Sequence, residues 1–153
     1  MDIVNPGKFF EDFPRLKGRP RDFRETSKAT PRYNCIAWAM GDDSRCWWPS
    51  RGFYWPPNCR PKTTINEFKK AFATRQYKPC ENGELEEGYE KIALYALKQR
   101  PTHAARQLKN GRWTSKLGGN VDIEHGRPED LEEGVYGKVV CYFRRRSSDT
   151  RAE

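Results

Sequence analysis

THAARQLKNGRWTSKLG, residues 102–118, decides how the rest of the chain is read. Asn110-Gly111 is the strongest short hairpin signal a sequence offers, because both residues tolerate the positive φ that a tight turn between strands requires. The spacing predicts a strand over 102–108, a turn at KNG and a returning strand over 112–118. Working outward, KIALYAL (91–97) is an apolar run that reads as a buried strand. YGKVVCYFRRR (136–146) reads as a final strand, with Val139, Cys141 and Phe143 on one face. The acidic CENGELEEGYE (80–90) and the stretch GNVDIEHGRPEDLEEG (119–134) read as loops, the second with a helical turn at PEDLEE.

Upstream, the period changes. In TTINEFKKAFATRQY (63–77), Ile65, Phe68 and Phe72 share one helical face behind a capping Thr63 or Thr64. In RYNCIAWA (32–39), Pro31 disfavours helix at Thr30 and Asn34 is a suitable N-cap. A helix is expected from about Cys35 to Met40, stopping at Gly41. The order of helix, helix, then antiparallel sheet defines an α+β domain. Residues 1–31, rich in Pro, Gly and charge, are expected to form an extended arm held by Phe9, Phe10, Phe13 and Phe23. The domain proper is assigned to 32–146, and SSDTRAE (147–153) to a loose tail.

A length of 153 residues suits one domain with a modest core. No run approaches the ~18 apolar residues needed to span a bilayer, so no membrane partner is expected. MDIVNPGKFFEDF lacks the basic start and apolar run of a Sec signal, which points to the cytoplasm or to export by another route. The net charge is +8, with much of the excess in RLKGRPRDFR (15–24) and RRR (144–146). Two readings stay open for those ends, a solvated basic surface or a nucleic-acid contact. Five cysteines, an odd count without a CxxC pair, argue against a disulfide framework or a zinc finger, and no metal or other cofactor is expected.

The chemistry centres on Cys35. A thiol becomes a nucleophile as a thiolate or beside a base. A helix start lowers a thiol pKa through its partial positive charge, and its free N–H groups stabilise an oxyanion. Cys35 is placed for both effects, with Asn34 beside it as support. The bland alternative is a small apolar residue filling the core. His103 and His125 are the two histidines, and His103 opens a strand, where a sheet fixes its ring. Tyr33, Trp47, Trp48, Tyr54 and Trp55 either line a cleft beside Cys35 or close a lid over the core.

A cysteine at a helix start, a histidine at the start of a strand and a polar residue on the next strand resemble the papain-like fold. The likeness is to the small bacterial hydrolases of the NlpC-like and CHAP kinds. HAARQLKNGRWTS fits their layout without a gap. The resemblance implies Cys35 as nucleophile, His103 as base and Ser115 at the orienting position, with Asp122, Glu124 or His125 as alternative orienters. It implies a hydrolase or acyl transferase acting on an amide bond in a protein or peptide, of protease, deamidase or toxin-like effector type. Two departures stand out: Asn34 precedes the cysteine where NlpC-like enzymes carry Asp, and Ser115 replaces the usual His, Asn, Gln or acid. YNCIAWA, THAARQL and WTSKLG together also resemble a bacterial family, with no activity implied. The rival reading is a non-catalytic module binding nucleic acid through its basic ends and aromatic loop.

Overall fold

The computed structural model describes residues 3–19 and 21–147. Seven strands form one open, fully antiparallel sheet: β1 (Phe23–Ser27), β2 (Lys78–Cys80), β3 (Tyr89–Leu97), β4 (Arg100–Gln107), β5 (Trp113–Lys116), β6 (Asp122–His125) and β7 (Lys138–Arg146). Their order across the sheet is β1-β6-β5-β4-β3-β7-β2. Among the described residues three short α-helices accompany it, α1 (Pro6–Asp12), α2 (Cys35–Ala39) and α3 (Ile65–Ala73). The architecture is α+β, as the residue pattern predicts.

Alternation along the strands divides the core in two. Ile92, Leu94 and Ala104 face α2 and α3, where they pack with Ile36, Trp47, Phe68, Phe72 and Phe143. Ala93, Tyr95, Ala105, Trp113 and Ile123 face the other way, against Phe9, Phe13, Leu16 and Tyr136. The helix ends follow the predicted chemistry. The side chain of Thr64 accepts from the Glu67 N–H to start α3, and that of Asn34 accepts from the Ala37 N–H to start α2.

Four expectations are corrected. First, the described residues of the segment 1–31 are not an extended arm with little regular structure. They form α1, a 3-10 turn at Pro14–Leu16 and the edge strand β1, which pairs with β6. The predicted aromatic anchors are real, and burying Phe9, Phe13 and Phe23 is what folds this segment onto the sheet. Second, the loop read at 119–134 contains β6, with a 3-10 turn at Pro128–Leu131 where a helical turn was expected. Third, a short strand the sequence did not announce, β2, pairs with β7 immediately before the acidic loop. Fourth, Val139 does not share a face with Cys141 and Phe143. Leu94 pairs with Cys141 and Tyr95 with Val139, so Val140 is an extra residue in the ladder. This bulge turns Val139 to the opposite core. Of the expected loose tail, residues 148–153 lie outside the described residues.

No described helix is long and apolar enough to cross a membrane. All five cysteines are free thiols.

Candidate active site

The site forms where the sheet opens. β4 and β5 pair at Arg106↔Thr114 and Gln107↔Trp113, and the ladder stops there. Toward Thr102 the edge of β4 is left to α2. The Cys35 thiol donates to the Thr102 carbonyl at 3.8 Å, and the Ala104 backbone also hydrogen-bonds the sulfur. The thiol therefore rests against the main chain on both sides of His103. The backbone groups of Cys35 and Ile36, in the first turn of α2, reach the sulfur as well.

His103 projects into the core covered by the N-terminal segment. Its ring stacks on Tyr136 at 4.0 Å between centroids and meets Tyr95 edge-on at 5.1 Å. Nε2 of His103 lies 3.0 Å from Ser115 Oγ. Ser115 Oγ in turn lies 2.8 Å from Nε2 of His125, and Nδ1 of His125 lies 2.9 Å from the Arg127 carbonyl. All three side chains are fully buried. Nδ1 of His103 is buried with no hydrogen-bond partner.

The alternation of β5 and β6 explains the rest of the placement. Ser115 and His125 share the face of Trp113 and Ile123, and so reach His103. Asp122 and Glu124 do not. Asp122 accepts from the Tyr33 hydroxyl at 2.6 Å, and Glu124 pairs with Arg24 and Arg112, each at 3.1 Å. Two of the residues expected as alternatives, Ser115 and His125, therefore lie in one hydrogen-bonded row with His103.

Burial governs the electrostatics. It pushes the Cys35 thiol up to about 11, against the backbone hydrogen bonds at the sulfur and the Lys116 ammonium. The helix-start effect expected to lower this thiol is outweighed, because α2 has only five residues and the sulfur is desolvated. Burial, reinforced by His125, holds His103 well below the usual 6.5. Burial likewise pushes His125 down to about 4, against the Arg127 carbonyl and Asp130. At neutral pH the site rests as a thiol and two neutral imidazoles.

Asn34 is consumed by structure. Its Oδ1 accepts from Ala37 N–H at 3.1 Å and Trp47 N–H at 3.0 Å, and its Nδ2 donates to the Trp47 carbonyl at 2.7 Å. It supports the site by fixing the start of α2, not by offering a donor to an oxyanion. The aromatic loop belongs to the core on the α2 side. Trp47 is fully buried and meets Tyr54 edge-on, while Trp48 and Trp55 pack on Phe68. Tyr33 is buried and stacked on Trp38.

Sequence reasoning missed Tyr136, the ring that clamps His103, and placed Lys116 near the site on β5 but as part of a solvated face, whereas it is fully buried. A Tyr between two glycine-bearing turns carries no sequence signal for this role. Among the described residues, no group of three or more His, Cys, Asp or Glu is placed to hold a metal ion. The basic ends are substantially engaged in ion pairs: Arg15 with Glu133 at 2.8 Å, Arg24 with Glu124, Arg144 with Glu86, and Arg145 with Glu90 at 2.8 Å.

Fold and site together define an α+β chain whose antiparallel sheet carries a buried His–Ser–His row beside a helix-borne cysteine. Residues 24–144 match the family described as Domain of unknown function (DUF7689), and the chain belongs to that family. No curated protein matches it, and no solved structure does.

Proposed function

We propose that the chain is a papain-like cysteine hydrolase or acyl transferase acting on an amide bond: peptide, isopeptide or side-chain carboxamide. One observation carries the reading. The Cys35 thiol lies against the main chain flanking His103, and the one ring nitrogen of His103 without a partner is the buried Nδ1. A buried polar atom left unpaired costs free energy, and such costs concentrate where the atom has a task.

In this reading Nδ1 of His103 takes the Cys35 proton as the sulfur attacks the carbonyl carbon. A general base acting during attack needs no preformed thiolate, which suits a thiol held near 11. The oxyanion is met by backbone N–H groups at the start of α2. Collapse of the tetrahedral species breaks the C–N bond, and the imidazolium gives its proton to the leaving amine. Water, or an acceptor amine, then resolves the thioester and returns the thiol.

Labelling with a small chloroacetamide, followed residue by residue by mass spectrometry, tests this. Cys35 should alkylate in the folded wild type, and His103→Gln should slow it by about 100-fold or more. The rates at Cys46, Cys59, Cys80 and Cys141 should not change. Equal Cys35 rates in a folded His103→Gln protein would overturn the reading and leave a binding module in its place.

A further inference from the structure

We propose that His125, acting through Ser115, is a positioning residue that holds His103 in the tautomer with its proton on Nε2, so that Nδ1 is kept as a bare lone pair. The inference deepens the cysteine-hydrolase reading and takes its catalytic meaning from it. The tautomer assignment itself rests on hydrogen-bond geometry.

The direction of the relay is set at its far end. A carbonyl oxygen only accepts, so Nδ1 of His125, 2.9 Å from the Arg127 carbonyl, carries a proton. In a neutral ring Nε2 of His125 is then bare and must accept. Its partner at 2.8 Å is the Ser115 hydroxyl, which therefore donates to His125. The hydroxyl has one proton, so toward His103 it offers only a lone pair. Nε2 of His103, 3.0 Å away, is thus the donor. One proton remains for that neutral ring and it is already placed, which leaves Nδ1 bare. The reverse polarity would set two lone pairs against each other at 2.8 Å unless His125 were charged, and its complete burial opposes that charge. The groups near His125 are Ser115 on the adjacent β5 and His103 one strand beyond on β4, with Asp130, Arg112 and Glu124 also acting on its ring.

Ser115 alone does not do this. A serine hydroxyl rotates, and on its own it serves equally as donor or acceptor. The second histidine, tied to a main-chain carbonyl, removes that freedom. The departure from the usual orienting residue on β5 is thereby compensated from β6.

The test uses the full chain with ring-nitrogen-labelled histidine. Long-range proton–nitrogen correlation at pH 7 reports which nitrogen of each ring is protonated. Wild type should show His103 protonated at Nε2 and His125 at Nδ1. A proton on Nδ1 of His103, or on Nε2 of His125, overturns the proposal without any variant. His125→Phe and Ser115→Ala should lose the single His103 tautomer and slow Cys35 alkylation about tenfold or more. His125→Gln, whose amide oxygen can accept from Ser115, should restore both, which a merely space-filling role would not. An unchanged Nε2–H tautomer in folded His125→Phe and Ser115→Ala sinks the relay. If the tautomers are as expected but Cys35 alkylation ignores His103→Gln, the relay stands and the hydrolase reading falls.

Discussion

The two faces of the sheet handle polar groups in opposite ways. On the α2 side, polar atoms are spent on holding the chain. Asn34 caps α2 and grips Trp47 through both its amide atoms, and Trp47 donates its indole N–H to Asp42 at 2.8 Å. On the side covered by the N-terminal segment, a row of three buried polar side chains runs through an aromatic core and ends on an unpaired nitrogen. The first side fixes the Cys35 thiol against the Thr102 carbonyl, and the second fixes the His103 ring. The contrast separates residues that stabilise from residues that are stabilised by others.

Trp47→Ala should strike the first face alone and hardest. Removing a fully buried indole is expected to destabilise the protein by about 3–5 kcal/mol in urea unfolding. The tautomer of His103 should persist in whatever fraction stays folded. If the His103 signals change as well, the two faces are not independent.

Mild acid, from pH 6.5 down to about 5, should strike the second face first, before the carboxylates of the α2 side begin to protonate. His125 sits near 4 when folded against an ordinary 6.5, so between those values the unfolded chain binds the proton that the folded chain refuses. Stability is therefore full above 6.5, and falls as pH drops toward 4, by roughly 3 kcal/mol at the most. His103 acts in the same direction. Chemical unfolding at pH 7 and pH 5 measures the slope, and His125→Gln should flatten it. A slope indifferent to His125→Gln would place the acid sensitivity elsewhere.

Asn34→Ala is the mildest change and falls at the junction. Loss of an N-cap costs about 1–2 kcal/mol, and the grip on Trp47 is lost with it. Cys35 alkylation should change its rate while Cys59 and Cys141 keep theirs. A stability loss with no effect on Cys35 would make Asn34 part of the first face only.

The legibility of the chain followed the strength of its local signals. Asn110-Gly111 located the β4–β5 turn, and the caps Asn34 and Thr64 located both central helices. β6 was missed although Val121, Ile123 and His125 alternate with Asp122 and Glu124. The element is four residues long and flanked by glycines, so composition outweighed period. β1 and α1 were missed because nothing local makes FRETS a strand. It becomes one by pairing with β6 while Phe23 enters the core.

The sequence by itself determined the α+β class, the start of α2 and the strand that carries His103, because caps, turns and periodicity act over a few residues. Only the tertiary structure decided that Ser115 and His125 lie in one hydrogen-bonded row with His103, that Asp122 and Glu124 face away, and that burial holds the thiol's pKa up. Those outcomes depend on strand order, on which side of a pleat a residue falls, and on desolvation, none of which exists until distant segments pack together.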